Sequence, residues 1–241
     1  MSPDYADSQR DAVIVFTRLP LPGMTKTRLM THLAPEECAE LQSCFLKDIG
    51  AVLADVPATI FVNHTPANGP TTLDALHGVI DSFPGHTLFF PQPDDLGFGE
   101  RLTHAFRHVF ELGFERIVLL GSDAFEMRAD YIEEAFEALE AHELVFAPSP
   151  DGGYGIVGMR EFVPEVFELD AFSDESVLER TLSVANETGS TVTLISTIPD
   201  IDEYDDIEDC LADAGCVPES AMTQTHAYLS RVASAIARVS P

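Results

Sequence analysis

Basic residues are scarce in this chain. Across its 241 residues, 13 lysines and arginines face 41 aspartates and glutamates, a formal net charge of −28. Only two lysines occur, Lys26 and Lys47. A surface this acidic repels phosphate backbones, so nucleic acid is excluded as an expected partner. It also repels itself, and dissolved salt relieves that repulsion by screening. We therefore read the chain as halophilic, adapted to a salt-rich cytoplasm. Long apolar runs are absent too. None approaches the ~18 residues needed to span a membrane, so no membrane partner is expected. Met1 to Arg10 is polar and acidic, unlike a secretion signal, which points to a cytoplasmic protein. Tryptophan is missing, and there are four cysteines, Cys38, Cys44, Cys210 and Cys216. They form no Cys-x-x-Cys pair, so neither a zinc site nor a disulfide is expected. Cys38 and Cys44 read as small buried residues of one helix. The eight histidines show no metalloprotease spacing, and no Ser/His/Asp or Cys/His grouping stands out.

Apolar residues make up 45% of the chain, enough for a sizeable core. Strand and helix signals alternate from end to end. Ala12 to Thr17 is a short β-branched and aromatic run that reads as a buried strand. A Pro/Gly loop and a short helix over Thr25 to Leu33 follow. A longer helix starts at Pro35, with Glu36 and Glu37 in its first turn. Further strands are expected at Ala58 to Asn63, Thr87 to Phe90, Arg116 to Leu120, Leu144 to Ala147, Tyr154 to Met159 and Thr191 to Ser196. Helices are expected at Thr71 to His77, Gly99 to Leu112, Ala129 to Ala141 and Asp174 to Thr188, with a C-terminal one near Gln224 to Arg238. Strands separated by helices imply right-handed βαβ units and a mostly parallel sheet. No Gly/Ser-rich linker divides the chain, so residues 1–241 read as one domain, its core about 12–211 and its C-terminal helix about 222–238. In open sheets of this kind, ligands sit beyond the strand C-termini.

The first candidate motif begins where the first strand ends, Arg18-Leu-Pro-Leu-Pro-Gly-Met-Thr-Lys-Thr-Arg28. Gly23 allows a tight turn and close ligand approach. A helix N-terminus there presents unpaired N–H groups to an anion. Arg18, Lys26 and Arg28 place three cations in an acidic protein, with Thr27 among them. Arginine suits bidentate phosphate contact and lysine supplies a point charge. The motif is neither a Walker A loop nor a Rossmann glycine fingerprint. Arg101, at the helix start after Gly97-Phe-Gly99, is a further candidate phosphate contact, or a surface ion pair.

Three carboxylates also follow predicted strands. Asp123 closes Gly121-Ser-Asp123, where it would hold Mg²⁺ or Mn²⁺ facing a phosphate loop. It also fits as the cap of a helix beginning near Met127. Asp151, in Asp-Gly-Gly-Tyr154, is a candidate base, although Asp-Gly is equally a hairpin signal. Asp202 lies in the acidic run Asp200 to Asp209. The rest of that run reads as a solvated face.

Phe16-Thr-Arg-Leu-Pro-Leu-Pro-Gly-Met-Thr-Lys-Thr-Arg-Leu29 resembles the opening motif of the selenodomain-associated, glycosyltransferase-like proteins. Gly97-Phe-Gly-Glu-Arg-Leu102, Leu120-Gly-Ser-Asp123, Pro150-Asp-Gly-Gly-Tyr154 and Asp200-Ile-Asp202 follow in the same order, so the resemblance runs from Val13 to about Leu211. That family is placed with the GT-A folds, near phospholactate and molybdenum cofactor guanylyltransferases. The resemblance implies a three-layer αβα fold with a metal-binding aspartate at Asp123, a candidate second metal ligand at Asp202 and an acceptor or sugar near Asp151. Two departures stand out. No proline follows Asp123, where the chain reads Ala-Phe-Glu126, and the Thr-Pro step after Asp202 is missing.

Three readings follow. The first is a metal-dependent, GT-A-like glycosyltransferase using a nucleotide-sugar donor. There Arg18, Lys26 and Arg28 hold the diphosphate, and an unidentified small-molecule acceptor attacks near Asp151. The second is a guanylyltransferase-like nucleotidyltransferase that passes a nucleotide from a triphosphate to a phosphorylated acceptor. The third is a non-catalytic nucleotide-binding module, motivated by the two departures.

Overall fold

The computed structural model describes residues 10–66, 68–69, 71–124, 127–172, 175–212 and 223–236. Seven strands form one sheet in the order β3-β2-β1-β4-β6-β5-β7. They are β1 (Asp11–Arg18), β2 (Thr59–Thr65), β3 (Leu88–Pro91), β4 (Arg116–Gly121), β5 (Leu144–Pro148), β6 (Tyr154–Met159) and β7 (Val192–Leu194). Only β6 runs against the others, pairing antiparallel with both β4 and β5. The expected α/β fold with a mostly parallel sheet is what the chain adopts.

Helices cover both faces: α1 (Pro35–Leu53), α2 (Thr72–Ile80), α3 (Phe98–Glu111), α4 (Ala129–Ala141), α5 (Val177–Glu187), α6 (Tyr204–Ala212) and α7 (Thr223–Ile236). Successive strand side chains point to opposite faces, and the core divides accordingly. Val13 and Val15 of β1 join one cluster with Leu41, Phe45 and Ile49 of α1 and Ile132 and Leu139 of α4. Ala12 and Ile14 join the other, with Leu102, Phe106 and Val109 of α3. A central strand covered on both faces must be apolar at every position, which is why β1 reads as an unbroken apolar run.

Most boundaries lie within two or three residues of the sequence expectation. Two differ for physical reasons, and a third cannot be compared at its start. The segment after the Pro/Gly loop is a five-residue 3-10 turn, Thr27–Thr31, and not a helix over Thr25 to Leu33. Lys26 precedes it in the left-handed region (φ 49°, ψ 43°), so helical geometry cannot extend back through it. Helix α5 starts at Val177; the expected start at Asp174 lies outside the described residues. The acidic run contains α6, whose start is fixed by Asp206 accepting from the backbone N–H groups of Asp202 (2.9 Å) and Glu203 (2.7 Å). Ile201 and Ile207 anchor this stretch in the core.

Cys38 is buried and Cys44 half-buried on α1, as expected, and both are free. Burial pushes both thiols above their ordinary pKa.

Candidate functional site

The C-terminal ends of β1 and β4 lie side by side, with Phe16 opposite Gly121 in register. The basic loop leaves β1 here and the Ser122-Asp123 turn leaves β4. A buried network ties the two strand ends together. Thr17 Oγ1 donates to Ser122 Oγ (2.9 Å), and Gln42 Nε2 reaches both Thr17 Oγ1 (3.0 Å) and Ser122 Oγ (2.8 Å). None of these three residues was singled out from sequence. Their polar types inside an apolar run were the only available signal.

A cleft opens above this network in two chambers, one of about 350 Å³ and one of about 440 Å³. They share Phe16, Arg28, Phe98, Asp123, Phe172 and Asp202 as a common wall. Their charge is opposite. The first is lined by four cations, Arg18, Lys26, Arg28 and Arg101, against the two carboxylates Asp123 and Asp202. The second is lined by six carboxylates against one guanidinium, that of Arg28.

Lys26 lines the first chamber beside the two carboxylates of the shared wall. Its side chain is only 5% exposed. Its ammonium donates to the Ile201 carbonyl at 2.7 Å and lies 5.0 Å from the centre of the Phe45 ring. It stands 3.6 Å from Asp123 Oδ2 and 3.9 Å from Asp202 Oδ1. Arg28 Nη1 donates to Asp202 Oδ2 at 2.8 Å. The two carboxylates are brought together by the Asp200 segment, which bridges to Ala124 and donates from Ile201 N to the Asp123 carbonyl (3.2 Å). Asp123 does not cap the next helix: α4 begins at Ala129, with Arg128 at the capping position.

Arg18 and Arg101 face each other's charge inside the first chamber. Arg18 Nη1 donates to the Met24 carbonyl (3.2 Å), stapling the loop back on itself. Arg101 Nη1 approaches Gln92 Oε1 at 3.4 Å, and its buried Nε has no hydrogen-bond partner. Burial and the neighbouring Arg18 charge both push the Arg101 pKa down. Two cations lining one chamber suit it to an anionic ligand. Thr27 lines the same chamber, but Gly23 does not; its part is the positive φ of 79° that turns the loop. The five-residue 3-10 turn is too short to carry an anion on its N–H groups, so phosphate contact falls to the side chains.

In the second chamber, Asp151 sits at the β5–β6 hairpin turn. Its Oδ1 accepts from Gly153 N (2.9 Å) and from the Ser149 hydroxyl. The hairpin reading and the chamber-lining reading therefore both hold for this residue. Asp200, left aside in the sequence reading, lies beside it. Burial, then the charges of Asp151, Asp123 and Asp202, push the Asp200 pKa up to about 7. Burial also raises that of Asp202, with Lys26 opposing.

A hard divalent cation suits this oxygen-only donor set. Among the described residues no three carboxylates or other ligands converge closely enough to bind a metal unaided. Mg²⁺ is commonly held by one or two carboxylates, with phosphate oxygens and water completing its shell. Asp123 and Asp202, 44% and 39% exposed, are the carboxylates that would serve, in exchange for their present contacts with Lys26 and Arg28.

Among solved structures, a protein of Desulfovibrio desulfuricans G20, provisionally described as a nucleotide-diphospho-sugar transferase, is 24% identical with a TM-score of 0.83. The match covers 95% of this chain and 98% of that one. A 4-diphosphocytidyl-2C-methyl-D-erythritol synthase from Anaerococcus prevotii DSM 20548 is 10% identical, with a TM-score of 0.56 over 88% of this chain and 98% of that one. A CMP:2-keto-3-deoxy-manno-octonic acid synthetase complexed with CTP is 11% identical, with a TM-score of 0.52 over 85% and 98%. At these identities the likeness is one of fold. A search of the curated proteins finds no match. One family model matches residues 49–174, a stretch that contains Arg101, Asp123 and Asp151 but neither the basic loop nor Asp202. By that match the chain belongs to the family described as uncharacterized protein conserved in bacteria, DUF2064.

Proposed function

We propose that this chain is a transferase that takes a nucleotide-sugar donor and passes the sugar to a small-molecule acceptor. The observation that carries this reading is the opposed charge of the two chambers, which share Arg28, Asp123 and Asp202 in their common wall. Arg18, Arg101, Lys26 and Arg28 would hold the donor's diphosphate by charge-assisted hydrogen bonds. Asp123 and Asp202 would hold Mg²⁺ or Mn²⁺ against it. When bound, that ion neutralises charge on the diphosphate and orients it.

The chemistry then follows from position. A lone pair of the acceptor hydroxyl forms the bond to the anomeric carbon. The bond from that carbon to the diphosphate oxygen breaks, and its electron pair leaves with the nucleoside diphosphate. The acceptor's proton passes to a carboxylate of the second chamber, for which Asp151 is the candidate, with Asp200 alongside. The cations of the first chamber stabilise the leaving diphosphate without having to reorganise.

A second reading keeps the same donor chamber but uses a nucleoside triphosphate, with attack at the α-phosphorus. The fold likeness to a CTP-bound synthetase and a diphosphocytidyl synthase supports carrying it. Incubation with a panel of nucleotide sugars and nucleoside triphosphates, in high salt with Mn²⁺, separates the two. Release of nucleoside diphosphate is the expected result. Release of pyrophosphate would instead establish nucleotidyl transfer. Binding without either product would leave a non-catalytic nucleotide-binding module.

A further inference from the structure

We propose that the second chamber takes an uncharged, hydroxyl-rich acceptor, a sugar or polyol, and excludes phosphorylated ones. This rests on the transferase reading above and narrows it.

The first argument is charge. Asp151, Glu175, Asp200 and Glu203 line the chamber beyond Asp123 and Asp202, which the transferase reading assigns to the metal ion. Arg28, the one cation among its described lining residues, is already paired with Asp202. A phosphate ester entering this space meets like charge in a partly desolvated setting, where water screens it poorly. Ionised carboxylates accept hydrogen bonds from hydroxyl donors, and a polyol presents several at once.

The second argument is the aromatic wall. Phe98 lines the wall shared by the two chambers and is 46% exposed. It is held in place by Phe16 (centroids 5.7 Å, edge-on) and Phe172 (5.1 Å, tilted). Gly99 makes that arrangement possible. A Cβ there would stand 2.2 Å from the Phe167 carbonyl oxygen and 2.9 Å from the Phe172 ring. The three rings give an apolar face within the wall that the two chambers share. A sugar ring has the matching duality, a C–H face and a hydroxyl rim. The chamber's volume of about 440 Å³ is in the range of small-molecule sites.

The test uses the full chain in high salt and saturation-transfer NMR with glucose, mannose and galactose and their 6-phosphates. At least one neutral sugar should bind about tenfold more tightly than its 6-phosphate. Phe98→Ala should weaken that binding several-fold, while Phe98→Leu, which keeps the apolar bulk, should weaken it less. Glu175→Gln combined with Glu203→Gln should narrow the gap between neutral sugar and phosphate ester. A 6-phosphate binding as tightly as its parent, or no binding by any neutral sugar, overturns the inference. Titration of nucleoside diphosphates into the same sample keeps the two claims apart. Sugar preference without nucleotide binding would defeat the transferase reading alone. Nucleotide binding without sugar preference would defeat this inference alone.

Discussion

The Lys26 ammonium donates to the carbonyl of Ile201 at 2.7 Å, closing the basic loop onto the acidic segment from the far end of the chain. The same ammonium offsets Asp123 and Asp202. The backbone of Lys26 lies in the left-handed region, which costs a non-glycine residue about 1–2 kcal/mol. Such strain persists where surrounding contacts over-determine it, and here those contacts belong to the cleft.

Lys26→Ala should therefore weaken binding of nucleoside di- and triphosphates about 10- to 100-fold, the worth of about 1.5–3 kcal/mol for a charged hydrogen bond. The matching bare nucleosides should bind almost as before. Calorimetric titration of both ligand types measures the difference. An equal loss for nucleoside and diphosphate would show that Lys26 supports the fold of the cleft without reading phosphate.

Two glycines near the site should respond differently to a methyl group. At Gly152 (φ 85°) a Cβ would stand 2.0 Å from the Glu175 backbone oxygen, and neither side can yield easily. Gly152→Ala should cost about 2–4 kcal/mol of stability, read by denaturant unfolding. At Gly121 the added Cβ would meet only the Asp123 carboxylate, at 2.7 Å. Gly121→Ala should leave the melting temperature within a few degrees. It should nonetheless reduce any Mn²⁺-dependent gain in nucleotide affinity, because the carboxylate must swing aside. A fully retained Mn²⁺ effect would remove Asp123 from the proposed metal site.

Asp200 gives a pH dependence whose sign can be worked out. Its pKa is raised from 3.8 to about 7 in the folded chain. Between those values the folded state keeps a proton that the unfolded state has lost. Stability from this group therefore falls as pH rises from about 4 to about 7, and the penalty is constant above that. Asp200→Asn should raise the melting temperature at pH 8 and leave it nearly unchanged at pH 4, both measured in EDTA. A gain of the same size at both pH values would show that charge on Asp200 is not the cause.

The net charge of −28 predicts a salt requirement. Circular dichroism should show loss of structure as salt drops below a few hundred millimolar, where screening of like charges fails. A fold indifferent to salt would contradict the halophilic reading.

Much of this architecture was legible in the sequence because it is written in local patterns. The apolar runs of β1 and β4 are unbroken because both faces of those strands are covered, and helix α4 was bounded at Ala129 and Ala141 by its own periodicity. Arg18, Lys26, Arg28, Arg101, Asp123 and Asp202 do line one chamber, and Asp151 lines its neighbour. Other features depend on partners far away in sequence. Gln42 matters only because α1 lays it against Thr17 and Ser122. Asp200 differs from the other acids of its run only because it is buried near Asp151 and Asp123. The helical start at Tyr204 was hidden because its capping group, Asp206, sits in an acidic run that reads as solvated surface.

The account depends most on the first chamber being a phosphate site. Its most direct test is a calorimetric comparison of nucleoside diphosphates with their own nucleosides, in high salt with Mn²⁺, on the wild-type chain and on Arg101→Ala. The account predicts that at least one diphosphate binds the wild type tenfold or more tightly than its nucleoside, a gap of about 1.4 kcal/mol. Arg101→Ala should remove most of that gap, since it takes away one of the four cations of the chamber, the one whose Nε has no hydrogen-bond partner. Diphosphates that bind no better than nucleosides, or a gap that survives Arg101→Ala undiminished, would contradict it.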